Sequence, residues 1–281
     1  PMAILLVTNG SNILLDVVFI LGLGLGSDGA ALATACAEYL GLSMAVVAVR
    51  RRGVRLPPGD LRRALTDRRG YARLWRANGH LFLRTACLLA CFAFFTAAGE
   101  KLGEATLAGN ALMLQFLLFA AFSLDGFAYA AEGLAGERLG ARDLDGFHAV
   151  VRRCAWWTGG SAVLISVLIF AGRPLIFPLL SDLASVQAVL ADHSGWLIAL
   201  PLLAAPSYLL DGVFIGAAET RPMMTTMWLS ALGIYLPVWW LAQPLGNDGL
   251  WLAFSLFNLA RGLLLGWVFL RYSRRGRWLP A

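Results

Sequence analysis

Residues 25–33 read Leu-Gly-Ser-Asp-Gly-Ala-Ala-Leu-Ala, and residues 245–253 read Leu-Gly-Asn-Asp-Gly-Leu-Trp-Leu-Ala. At an offset of 220, six of these nine positions are identical: Leu25, Gly26, Asp28, Gly29, Leu32 and Ala33 match Leu245, Gly246, Asp248, Gly249, Leu252 and Ala253. Each stretch lies between two long apolar runs, so each reads as the turn of a helical hairpin. Upstream, Pro1-Met2 resembles Pro222-Met223 with one residue of slippage. Equal hairpins in equal orientation point to an internal duplication. Parallel repeats related by an axis along the membrane normal are one architecture of membrane transport proteins.

Composition agrees with a membrane setting. The chain has 281 residues, 59% hydrophobic and only 14% charged, with a mean hydropathy of +0.69. Soluble domains run at roughly 45–50% apolar and 25% charged. A water-soluble globular protein, a disordered chain and a nucleic-acid-binding domain are therefore excluded. A spanning helix needs about 20 apolar residues, and charge-poor stretches fall at about 2–23, 29–49, 80–99, 106–133, 151–171, 195–217, 223–243 and 249–270. The fold expected is an all-α polytopic membrane protein with eight transmembrane helices.

The arginines orient these spans. All but one of the 23 basic residues are arginine, the exception being Lys101. Ten arginines lie in 50–78, and others in 134–153, at Arg221, and at Arg271, Arg274, Arg275 and Arg277. With eight spans, all of these segments share one side, opposite Lys101 and Arg173. The positive-inside rule makes that side cytoplasmic, with both ends of the chain there and the spans in the inner (plasma) membrane. Four parts are expected: a two-helix piece at 1–49, a cytoplasmic linker at 50–78, a six-helix piece at 79–272 and a cytoplasmic tail at 273–281. In the linker, Asp60 follows Pro57-Pro58-Gly59 as a helix cap. Leu61, Ala64, Leu65, Ala72 and Trp75 then fall near one face, as in a helix lying on the membrane surface. Pro222 lies roughly 143 residues into the second copy, so the same repeat logic places roughly 140 residues, holding four helices, ahead of Pro1.

Polar residues within the spans are the candidate functional groups, because an ionisable side chain in lipid is costly. Asn12 and Asp16 are four apart, as are Thr34 and Glu38, so each pair shares a helix face. At ~1.5 Å per residue, Asp16 lies ~10 Å below the outer end of its helix and Thr34 ~8 Å below the start of the next. The four can form one polar site that takes a proton or a cation, or they can simply clamp two helices together. A second set comprises Arg84, Asp125, Glu132, Asp211 and Arg261. Arg84, Asp125 and Asp211 share a depth, so acid–arginine pairing between helices is expected there. That set reads either as a structural ion-pair cluster or as a contact for substrate or proton. Met113, Phe116, Phe119 and Phe127 are candidates for an apolar cavity or for ordinary packing. Catalytic and metal signals are weak. The four cysteines show no CxxC spacing, and Gly22, Gly24 and Gly26 end a span rather than follow a strand.

The segments Asn12-Ile13-Leu14-Leu15-Asp16, Phe19-Ile20-Leu21-Gly22-Leu23-Gly24 and Gly29-Ala30-Ala31-Leu32-Ala33-Thr34 resemble the fifth and sixth helices of MATE (multidrug and toxic compound extrusion) transporters. Leu83-Arg84-Thr85, Ala108-Gly109-Asn110-Ala111, the run from Leu124 to Glu132 and the run from Tyr208 to Ala217 are similar to the DinF branch of that family. The resemblance implies the C-terminal part of a twelve-helix, two-lobe MATE fold. It implies export of small amphipathic, often cationic compounds in exchange for H⁺ or Na⁺, with no other cofactor and no enzymatic step. It also implies that Asn12, Asp16 and Thr34 belong to a first-lobe cation or proton site completed by an acid on the first helix, which has no counterpart in this chain. Glu38 and the second set rest on depth and spacing. The partners expected are the lipid bilayer and the substrate, with the protein a monomer and no nucleic acid bound. The alternatives are a flippase for lipids or lipid-linked sugars, or an inactive truncated membrane fragment.

Overall fold

A computed structural model describes residues 2–51 and 66–279, and the chain divides into two compact units, Pro1–Gly70 and Tyr71–Ala281. The division falls inside the stretch expected as a linker. Within the first unit, α1 (Met2–Asp16) runs on as a π-helical turn over Val17–Gly22, reverses, and is followed by α2 (Gly26–Arg51). The buried residues of α2 are Gly29, Ala33, Ala37 and Gly41. This row at a spacing of four lets two backbones approach, as small residues do in lipid. A methyl group on Gly41 would press on the hydroxyl of Thr8 in α1, and one on Gly29 would meet the Phe19 backbone.

The second unit contains α3 (Arg68–Glu100), which begins just before the division, then α4 (Glu104–Gly140), α5 (Leu144–Leu180) and α6 (Ala184–Gly216). Next comes α7 (Thr220–Ser230), continued by a π turn (Ala231–Tyr235) into α8 (Leu236–Ala242), and then α9 (Asn247–Arg274). Among the described residues, seven helices are long and apolar enough to cross a membrane. The remaining expected span is the helical run Thr220–Ala242, in which the π turn separates two shorter α-helices. Helices α4 and α5 each have 37 residues. That is about 55 Å at 1.5 Å per residue, against a hydrocarbon core of about 30 Å. Hydropathy marks only the part in lipid, so both helices outrun their expected bounds, α4 mainly at its arginine-rich end and α5 at both ends. The same reasoning explains why α6 begins at Ala184, before the polar Asp192 and His193.

The surface is apolar where a soluble protein would be polar, and several polar groups are buried within a mainly apolar interior. Leu21, Trp156 and Leu179 are nearly 80% exposed, while Asn110, Asn258, Asp211 and Arg261 are buried. Such an inversion suits a protein whose surroundings are hydrocarbon. Apolar clusters still fill the second unit: one gathers Phe95, Met113, Tyr235, Trp251, Phe254 and Phe257, and another gathers Phe147, Phe214 and Trp278. Trp278 lies in the segment expected as a tail. It folds back against Phe147, Phe214 and Tyr272, and its indole N–H donates to Ser273 Oγ at 2.9 Å. Of the surface helix expected near 60–75, Ala72 and Trp75 lie in the opening turns of α3, and Asp60, Leu61, Ala64 and Leu65 fall outside the described residues.

The internal repeat has a backbone counterpart. The matched glycines Gly26 and Gly246 both adopt a positive φ, 54° and 58°, directly at the start of the returning helix. Three residues on, Gly29 and Gly249 each lie where a side chain would strike a backbone carbonyl, that of Phe19 or that of Ala242. Asp28 and Asp248 sit in the first turns of α2 and α9, where a carboxylate favours the positive end of the helix dipole. Three of the six identities thus have a stereochemical or electrostatic reason.

Candidate functional site

In the first unit, the Asn12 side-chain amide donates to Thr34 Oγ1 at 3.4 Å, and Thr34 Oγ1 donates back to the Ala30 carbonyl at 3.0 Å. The expected facing of α1 and α2 therefore holds for this pair. Asp16 lies one turn beyond Asn12, half-buried, and its Oδ1 is shielded from solvent with no hydrogen-bond partner. Its position is also special in the backbone, because the π turn Val17–Gly22 starts immediately after it. A π turn shifts the hydrogen-bond ladder by one residue and occurs often at functional positions. Glu38 is exposed and shares no hydrogen bond with the other three among the described residues.

In the second unit, Asp211 on α6 receives two arginines. Arg84 of α3 donates to Asp211 Oδ2, and Arg261 of α9 donates to the same oxygen at 3.1 Å. The second terminal nitrogen of Arg261 donates to Asn258 Oδ1 at 3.3 Å, and its guanidinium lies 5.6 Å from the centre of the Phe257 ring. Asp125 of α4 stands within electrostatic reach of Asp211, Arg84 and Arg261 but forms no ion pair among the described residues. Two arginines and two carboxyl groups from four helices thus gather as a quartet in which Asp211 alone is ion-paired to both arginines. A lone buried charge would be prohibitive, whereas a balanced set with hydrogen bonds is tolerated. Arg84 Nε remains without a partner. Glu132 does not join the quartet. It lies two turns further along α4, and its backbone carbonyl faces Gly216.

Two features were not singled out from the sequence. One is a seam between α4 and α6, where a methyl on Gly212 would overlap the Ala128 carbonyl and one on Gly216 the Glu132 carbonyl. The spacing Gly212-xxx-Gly216 is the sequence signal for it, a small-residue motif of close helix pairs. The other is a part-buried amide pair: Asn110 Nδ2 donates to Asn247 Oδ1 at 2.7 Å, Asn247 Nδ2 returns a bond to Asn110 Oδ1 at 3.1 Å, and Trp251 Nε1 donates to that oxygen at 2.9 Å. An asparagine inside an apolar run, such as Asn110, is the cue that was available. Of the apolar candidates, Met113 is fully buried and Phe116 packs on the core, while Phe119 is largely exposed.

Comparison with known proteins places this geometry. The MatE family model matches residues 81–241. DNA damage-inducible protein F of Escherichia coli (strain K12) is 37% identical over 286 residues, which cover 100% of this chain and 61% of that protein. Protein DETOXIFICATION 43 of Arabidopsis thaliana is 25% identical, over 94% of this chain and 49% of its own length. The chain thus spans between about half and three fifths of the length of these relatives. Among solved structures, the Vibrio cholerae MATE transporter VcmN in its bent form superposes with a TM-score of 0.85 at 22% identity, over 99% of this chain and 63% of that one. An outward-facing multidrug resistance MATE family transporter of the MOP superfamily gives 0.83 at 19% identity, over 98% of this chain and 63% of that one. At these identities the structural likeness shows a shared fold.

Proposed function

Because the chain belongs to the MatE family, whose members are multi-pass membrane transporters and not enzymes, we propose that it serves a secondary antiporter that expels amphipathic or cationic compounds in exchange for H⁺ or Na⁺. The observation that carries this reading is Asp16. A carboxylate in a spanning helix, with one oxygen shielded and unpartnered, sits beside the Asn12–Thr34 pair and just ahead of a π turn. Such a group binds a proton, or holds a cation with neighbouring amide and hydroxyl oxygens. Irregular backbone in transporters commonly supplies carbonyl ligands in the same way. Taking up the ion at Asp16 would remove or neutralise a charge where the helix already leaves α geometry for a π turn. Such a change can bias the helix between two shapes, and so bias an alternating-access cycle. Asn12 and Thr34 would supply oxygens, with Glu38 one turn deeper as a second acceptor.

The Arg84–Asp211–Arg261 cluster, with Asp125 beside it, suits a structural role that joins α3, α6 and α9, while Asp125 is free to meet a cationic substrate or a proton. The arginine-rich ends of the helices are assigned to the cytoplasmic side of the inner membrane, and the transporter is taken to act as a monomer. The test is drug efflux from proteoliposomes under imposed H⁺ and Na⁺ gradients. Asp16→Asn is expected to abolish gradient-driven efflux while the yield of folded protein stays normal. Undiminished efflux by that variant would overturn the assignment.

A further inference from the structure

We propose that the second unit holds an anionic glycerophospholipid at a built site between α7 and α9, with the lipid phosphate clasped by Arg221, Arg271 and Arg277. This site is separate from the ion and drug sites proposed above. The recess has a volume of about 590 Å³, within the range of small-ligand pockets. Its three arginines come from three different places in the chain. Arg221 is the second residue of α7, Arg271 lies in the last turn of α9, and Arg277 lies in the turn beyond it. Among the described residues, none of the three is in an ion pair. Glu219 lines the same recess, so three cations face one anion and a net positive charge remains. Like charges that outnumber their counter-charge repel one another. A phosphate diester relieves that repulsion, and its two oxygens match the fork of a guanidinium. The N-terminus of the 11-residue α7 also opens here, with no side chain capping it, and adds a partial positive charge.

The walls point to a lipid as the source of the phosphate. Trp267 is 58% exposed and lines the recess together with Val268 and Pro222. It carries the Arg271 guanidinium 5.3 Å from its ring centre, and Tyr272 carries that of Arg277 at 5.6 Å. An aromatic platform beneath arginine at the end of a spanning helix belongs at headgroup level. From Trp267 the face of α9 continues into exposed Leu263, an apolar track for an acyl chain. Basic pockets between spanning helices are a known form of acidic-headgroup site. The backbone at Arg277 is anchored, because Trp278 beside it is buried in the core, while the Arg277 side chain itself is exposed.

The test is native mass spectrometry of the purified protein with phosphatidylglycerol and phosphatidylcholine of identical chains, alongside thermal unfolding with each lipid and with inorganic phosphate. Phosphatidylglycerol is expected to be retained over phosphatidylcholine and to raise the unfolding temperature. The double variant Arg271→Gln/Arg277→Gln is expected to lose about tenfold or more in that retention. Arg153→Gln, an exposed arginine outside the recess, is expected to leave it unchanged. Equal retention of the two lipids, full retention by the double variant, or an equal loss in Arg153→Gln would overturn the proposal. Stabilisation by inorganic phosphate equal to that by lipid would replace the lipid with a free anion and also overturn it. Should the double variant fail to fold, phosphatidylglycerol with brominated chains decides the question on the intact protein. It is expected to quench the fluorescence that the protein loses on Trp267→Phe, and absence of that quenching would refute the site.

Discussion

Asp211 is where single residues matter most. Its one carboxylate serves Arg84 and Arg261 together, so Asp211→Ala strands two guanidiniums in a buried setting. Breaking a buried pair on one side costs about 3–5 kcal/mol, and thermal unfolding in detergent should show a loss of that order. Arg84→Gln should cost clearly less, because Arg261 still balances Asp211. Equal losses for the two variants would show that Arg84 carries more than this ion pair. The pairing itself was legible in the sequence, since acids and arginines at one depth in lipid have few other options. Its membership was not. Depth along a helix places Asp125, Glu132 and Asp211 in one layer or the next, but rotation about the axis decides which of them meets an arginine. In the first unit the spacing of four placed Asn12 and Thr34 on faces that meet, but depth set Thr34 level with Asp16, whereas its partner is Asn12. The same spacing left Asp16 unbonded and Glu38 exposed, because periodicity says nothing about where a helix changes pitch.

At the scale of elements, two kinds of helix boundary were hidden in the sequence for one reason. Hydropathy reports the solvent, not the hydrogen-bond ladder. The expected bounds therefore stopped where the apolar sequence stops, while α4 and α5 run on past them and α6 starts before them. The π turns at Val17–Gly22 and Ala231–Tyr235 lie in uniformly apolar sequence and give no signal at all. Close helix pairs do leave a signal in glycine spacing, although the α4–α6 seam was not singled out from it. Gly212 and Gly216 on α6 fit against the carbonyls of Ala128 and Glu132. Gly216→Leu should therefore force the two helices apart, with a loss of roughly 1–3 kcal/mol or more. Gly133→Leu, on the same α4 but facing open space, should be nearly neutral. A comparison of their unfolding temperatures checks the seam, and equal effects would show that Gly216 is not at a tight contact.

For the whole molecule, the charge asymmetry of the loops gives a direct topology test. A thiol reagent that cannot cross membranes should label Lys101→Cys in intact cells and Arg142→Cys only in permeabilised ones. The reverse pattern would invert the assigned orientation. The repeat was the most informative long-range feature of the sequence, and part of its reason is now concrete: Gly26 and Gly246 share a positive φ that other residues enter only at a cost of roughly 1–2 kcal/mol. The seam between α4 and α6 has a mechanical consequence for the second unit as a whole. Where backbone rests on backbone, no side chain is present to change rotamer and let one rod slide past the other. Translation by even a fraction of a turn would drive a carbonyl into a Cα. The two helices must then travel as a single beam, and any shape change in this unit is left to bending elsewhere, with the π turn between α7 and α8 the natural hinge.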